Sequence, residues 1–154
     1  MNAMSRLTAR IDDNVRELVF DALLSTGVAP SRAEVAAQVS LPESQIAGSF
    51  ERLAEGHVFV LQPQSREILM ANPFSARPTP FRVSAGAKAW WGNCIWDALG
   101  IIAMTGKDGD LQTSCPDCGE GLTLQVRDGK LLTSETIAHF TVPAAHWWDD
   151  IVFT

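Results

Sequence analysis

The chain has 154 residues, eighteen acidic and twelve basic, for a net charge of −6, and 46% of them are hydrophobic. That apolar share supports a real core and excludes a disordered polymer, while the negative charge disfavours nucleic acid, whose phosphates call for cations. No run reaches the ~18 apolar residues of a membrane span, and the start, Met1-Asn2-Ala3-Met4-Ser5-Arg6, lacks the apolar stretch of a signal peptide, so a cytoplasmic protein without a membrane partner is expected.

Asp12 or Asp13 can cap a helix over about residues 14–26, with Val15, Leu18, Val19, Ala22 and Leu23 on one stripe and Gly27 ending it. Ser31-Arg32-Ala33-Glu34 has capping-box spacing and opens a second helix to Ala37 or Val39. After Ser40-Leu41-Pro42-Glu43 a third helix turns Ile46, Phe50 and Leu53 inward and stops at Gly56. Residues 57–61 and 68–70 read as strands joined by a six-residue turn. Three helices and a hairpin predict a winged helix-turn-helix domain over residues 1–72. Its third helix, which would enter a DNA groove, carries Glu43, Glu51 and Glu55 against Arg52, a poor match to phosphate. The module is expected to pack against the second half or to pair with another copy as a homodimer.

Residues 73–80 hold Pro73, Pro78 and Pro80 and predict an extended connector. In the second domain, 81–154, strands are expected at 81–83 and 86–91, then a helix from Cys94 to about Met104 ended by Thr105-Gly106. Strands at 111–115 and 122–126 flank a turn, and a further pair is expected at 130–132 and 137–140. The final run, Trp147-Trp148-Asp149-Asp150-Ile151-Val152-Phe153-Thr154, climbs into an apolar strand. The fold class is α+β: the winged helix followed by a small mixed sheet with a helix carrying Cys94 and Asp97.

Within Trp90-Trp91-Gly92-Asn93-Cys94-Ile95-Trp96-Asp97, Cys94 and Asp97 share a helix face, their Cβ atoms roughly 5–6 Å apart. With Asn93 as the cap, Cys94 falls in the first turn, where backbone N–H groups and the macrodipole favour a thiolate. Trp90, Trp91 and Trp96 would hem in the carboxyl, and apolar burial raises its pKa. A soft nucleophile then stands beside a proton donor.

From about Asn72-Pro73-Phe74-Ser75 to the end, and most strongly at Trp91-Gly92-Asn93-Cys94-Ile95-Trp96-Asp97-Ala98-Leu99-Gly100, the chain resembles the alkylmercury (organomercurial) lyase family. The winged-helix half looks like that family's N-terminal helical region. The resemblance implies that Cys94 binds mercury and Asp97 protonates the leaving carbon. Cleavage of the carbon–mercury bond would give a hydrocarbon and thiolate-bound Hg(II), as part of mercury detoxification. Soft Hg(II) prefers thiolate ligands, and a protonated carboxyl can act as general acid. No cofactor is required; the partners are a small organomercurial, small thiols or a mercury-accepting protein. The family also uses a second cysteine on a later strand, and this sequence has none after Cys118. Residues 150–154 resemble the approach to that position, so the second thiol lies past Thr154 or is absent. A non-catalytic regulatory protein that binds a thiophilic metal or ligand is the alternative.

The sequence has three cysteines, an odd number that gives no disulfide framework. Cys115-Pro116-Asp117-Cys118-Gly119 reads as half a zinc site, as a redox dithiol, or as a turn with two free thiols. His139 and His146 are the candidates to complete a zinc site. On the resemblance, Cys115 and Cys118 could instead pass mercury onward or stand in for the second thiol.

Overall fold

The computed structural model describes residues 3–132 and 135–152. Helices α1 (Ala3–Thr26), α2 (Arg32–Val39) and α3 (Glu43–Glu55) lead into strands β1 (Phe59–Leu61), β2 (Ile68–Ala71) and β3 (Phe74–Ser75). Strands β4 (Arg82–Ala85) and β5 (Lys88–Trp91) precede α4 (Ile95–Thr105), followed by β6 (Gly109–Ser114), β7 (Gly121–Arg127), β8 (Lys130–Leu131) and a 3-10 helix, Ala144–Asp149. The chain is mixed helix and sheet, an α+β arrangement.

Helix α1 is longer than its apolar stripe predicts, because Asp12 does not cap it. The Asp12 carboxylate instead reaches α3, taking hydrogen bonds from Ser49 Oγ at 2.6 Å and from Arg52 Nε and a terminal nitrogen at 2.8 and 2.7 Å. A fork-on-carboxylate pair of this kind fixes orientation as well as charge. The Ser31 capping box forms as expected, with Ser31 N–H on Glu34 Oε2 at 2.7 Å and Glu34 N–H on Ser31 Oγ at 3.2 Å. Val15, Val19 and Leu23 of α1 meet Ile46, Phe50 and Leu53 of α3, all buried. Phe50 packs edge-on against Phe59 of β1, ring centroids 5.6 Å apart, which seats the first sheet under the helices.

That sheet runs β1-β2-β3, and the second runs β5-β4-β6-β7-β8. Every strand pairing in both is antiparallel, so the expected mixed sheet is corrected. Short turns explain this for the consecutive pairs, since a parallel pair needs a long crossover; β6 instead reaches β4 after β5 and α4 and still runs antiparallel to it. The connector contributes β3, whose Phe74 also bridges to Gly92 beyond β5. Its Asn72–Pro73 peptide bond is cis. The indole N–H of Trp90 donates to the carbonyl of Leu23 at 2.8 Å, tying β5 to the end of α1. At Gly27, where φ is +75°, any Cβ would collide with the carbonyl oxygen of Ala89; only glycine permits both the turn and this approach. One hydrophobic cluster therefore runs from Val15 through Phe59 and Phe74 to Ile101, Leu111 and Leu124.

Two expected strands are absent. Of the pair at 130–132 and 137–140, only Lys130–Leu131 forms, on the edge of β7. Residues 137–140 have no strand partner, and 147–149 lie in the 3-10 helix rather than in a strand. Pro143 starts that helix and cannot donate to a ladder. Asp149 and Asp150 therefore do not alternate across a strand, and the expected run through 153–154 extends outside the described residues.

Candidate functional site

The site forms where β5 hands the chain to α4. Gly92 lets this junction close, because a Cβ there would lie 2.8 Å from the backbone nitrogen of Ala98. Asn93 does not cap the helix. Its side-chain nitrogen instead donates to Asn72 Oδ1 at 3.0 Å and to the carbonyl of Pro73 at 3.3 Å. With Asn93 so engaged, the cap position passes to Cys94, in extended backbone at φ −142° and ψ −176°. The carbonyl of Cys94 accepts the first helical bond from Ala98 N–H at 3.0 Å.

Cys94 Sγ lies 3.5 Å from Asp97 Oδ2. Both side chains are partly buried. Burial pushes the Cys94 thiol pKa up, and the charge of Asp97 adds to the rise. The N–H groups of Asp97 and Trp96 oppose it without closing a capping hydrogen bond to the sulfur. The expectation of a dipole-stabilised thiolate is thus corrected: loss of water outweighs the helix terminus. Burial also raises the Asp97 carboxyl pKa, against hydrogen bonds from Cys94 and the Asn93 side chain. Asn93 Oδ1 itself is buried without a hydrogen-bond partner. Two acids whose anions are both disfavoured, in hydrogen-bond contact, are poised to hold one proton between them.

The walls differ from the predicted ones. Trp90 belongs to the core, whereas Trp96 does line the cavity while staying 67% exposed. A cavity of about 540 Å³ opens over Cys94 and Asp97, lined by Phe81 from the approach to β4, Met70 and Asn72 from the first sheet, and Phe140, Trp147 and Trp148 from the last segment. Trp147 is held by donating to the carbonyl of Val142 at 2.8 Å. Trp148 stacks on His57, centroids 4.0 Å apart and planes at 7°. These wall residues were missed in the sequence because they come from three separate stretches. The one signal was the aromatic density of His139-Phe140 and His146-Trp147-Trp148, read above as a strand.

Cys115 and Cys118 sit at the turn between β6 and β7. Neither histidine completes a zinc site with them. His139 lines the cavity beside Cys94, and His146 Nδ1 lies 3.0 Å from Asp149 Oδ2. No group of three or more His, Cys, Asp or Glu side chains fit to hold a metal ion exists among the described residues.

The family model for alkylmercury lyase matches residues 74–154, just over half of the chain and all of α4. The chain belongs to the alkylmercury lyase family. A solved structure described as the mercury-bound form of MerB2 shares the fold, with a TM-score of 0.62 at 21% identity, covering 81% of this chain and 59% of that one. The chain thus spans about three fifths of that protein's length. No curated protein matches it. Among the described residues, no helix is long and apolar enough to cross a membrane.

Proposed function

We propose that the chain cleaves carbon–mercury bonds by protonolysis, with Cys94 as the mercury ligand and Asp97 as the acid. The observation that carries this reading is the 3.5 Å contact between Cys94 Sγ and Asp97 Oδ2 at the wall of an aromatic-lined cavity. An organomercurial cation enters and its mercury bonds to the Cys94 sulfur, displacing the thiol proton, which passes to the adjacent Asp97 carboxylate. A small thiolate then adds as the second sulfur ligand. The carbon–mercury bond breaks with its electron pair on carbon, and Asp97 returns the proton to that carbon. The products are a hydrocarbon and Hg(II) bound by two thiolates, with Asp97 again ionised. No resident cofactor takes part. The apolar walls suit the organic group and, by excluding water, keep Asp97 protonated until the carbon leaves.

The dependence on small thiols fits a reducing, cytoplasmic setting. We assign residues 1–72 a supporting role, as a winged-helix-like module that supplies Met70 and Asn72 to the cavity. Three of its six arginines pair with acids of the same chain, Arg52 with Asp12, Arg66 with Glu51 and Arg32 with Glu67, which weakens the electrostatic footprint for DNA. Incubation with phenylmercuric acetate and excess small thiol should release benzene. If mercury is captured but no benzene appears at any thiol concentration, the chain is a binder of thiophilic ligands and the lyase reading fails.

A further inference from the structure

The turn between β6 and β7 is built around two sulfurs that the lyase reading leaves unused. Cys115 N–H donates to the carbonyl of Glu120 at 2.8 Å, closing the hairpin, and Gly119 N–H donates back to the Cys115 carbonyl at 2.9 Å. Gly119 takes φ +74°, which lets the chain reverse directly after Cys118. Within this loop the N–H groups of Cys118 and Asp117 point at the Cys115 sulfur, and the Cys118 thiol is in hydrogen-bond reach of it. Those donors hold the Cys115 pKa below the ordinary thiol range, the reverse of the shift at Cys94. Cys118 is exposed and Cys115 partly so. The backbone thus presents two adjacent sulfurs to solvent, one already biased toward thiolate.

We propose that Cys115 and Cys118 form a second soft-metal site, a dithiolate chelate for Hg(II) that accepts the ion released at Cys94. The donor count selects the metal. A structural zinc site needs four ligands, and no metal-holding cluster of three or more is present among the described residues. Hg(II) is satisfied by two thiolates and strongly prefers sulfur to oxygen or water. Loading is a ligand exchange without redox change. A second small thiol first displaces the Cys94 sulfur from the product, its proton passing to that sulfur; two bonds from mercury to small thiolates then break, and two form to Cys115 and Cys118. Each protein thiol proton leaves on a departing small thiol. Because the two cysteines lie three residues apart in one turn, the second bond forms at high effective concentration, so the chelate outcompetes monothiols by roughly 10²-fold or more.

This proposal rests on the lyase reading for its source of Hg(II), but its test does not. The full chain is titrated with mercuric chloride in excess glutathione, following sulfur-to-mercury charge-transfer absorbance and counting bound metal by native mass spectrometry. The Cys94→Ser chain should retain one Hg(II) per chain, and Cys115→Ser/Cys118→Ser with Cys94 intact should lose that chelate, binding roughly 10²-fold more weakly. The exposed turn can be substituted without touching the core, and circular dichroism verifies the fold. Loss of binding in Cys94→Ser, equal binding in the double variant, or one metal shared between two chains would each overturn the intrachain chelate. Preferential retention of zinc over Hg(II) would do the same. Absence of carbon–mercury cleavage would sink the lyase reading and leave this result standing.

Discussion

The chain holds its thiols in two opposite environments. Cys94 sits at a helix N-terminus, where dipole and N–H groups should favour an anion, yet burial and the neighbouring Asp97 raise its pKa. Cys115 sits in an open turn with no helix behind it, and aimed N–H groups lower its pKa. Helix termini are anion sites only while water or donors reach the charge. At Cys94 the dry wall wins; at Cys115 two well-placed amides suffice. A thiol that passes its proton to Asp97 as a soft metal binds suits capture coupled to protonation, whereas an exposed thiol whose pKa is held down suits exchange.

The largest expected effect breaks the first site. Cys94→Ser should lower benzene release from phenylmercuric acetate by about 10³-fold or more, because the soft ligand that activates the bond is gone. Next, Asp97→Asn should cost about 10²–10⁴-fold in turnover, the usual worth of a positioned proton donor. That variant should still capture mercury, which metal analysis after gel filtration would register. The two raised pKa values also fix a pH profile. Capture needs the Asp97 carboxylate to take the Cys94 proton, so turnover rises through the raised Asp97 pKa and falls above the raised Cys94 pKa, where the pair has no proton left for the carbon; the profile should be bell-shaped. Asp97→Asn should abolish the acid limb and, by removing a negative charge, lower the pH at which iodoacetamide labels Cys94. A profile unchanged in that variant would remove Asp97 from the chemistry.

Smaller effects sharpen the contrast. In the intact chain near neutral pH, iodoacetamide should label Cys115 roughly tenfold faster than Cys94, read by peptide mass spectrometry, since thiolate fraction and exposure both favour the turn. Gly92→Ala should destabilise the fold by about 1–3 kcal/mol in urea unfolding, because its Cβ would meet the Ala98 backbone at 2.8 Å.

Much of this was legible from residue types and short spacings. The Ser31-x-x-Glu34 box, the Ile46, Phe50 and Leu53 stripe and the helix after Cys94 depend on neighbours within one or two turns, and each appears as its residues dictate. The Cys94 and Asp97 pairing follows from the same i,i+3 geometry. Failures came where a side chain found a distant partner. Asp12 looked like a cap until Arg52 and Ser49 were folded onto it. Asn93 looked like a cap until Asn72 and Pro73 took its amide.

By itself, then, the sequence determined the helices, the main hairpins and the thiol beside a carboxyl, because those are set by bonds and contacts a few residues apart. Tertiary structure decided which residues wall the cavity and how each thiol titrates. Phe140, Trp147 and Trp148 face Cys94 together with Met70 and Asn72, a meeting of segments some seventy to eighty residues apart that no local pattern encodes. The pKa of Cys94 belongs to that meeting too. Desolvation is a property of everything packed around a group, and the chain must close on itself before there is anything to exclude the water.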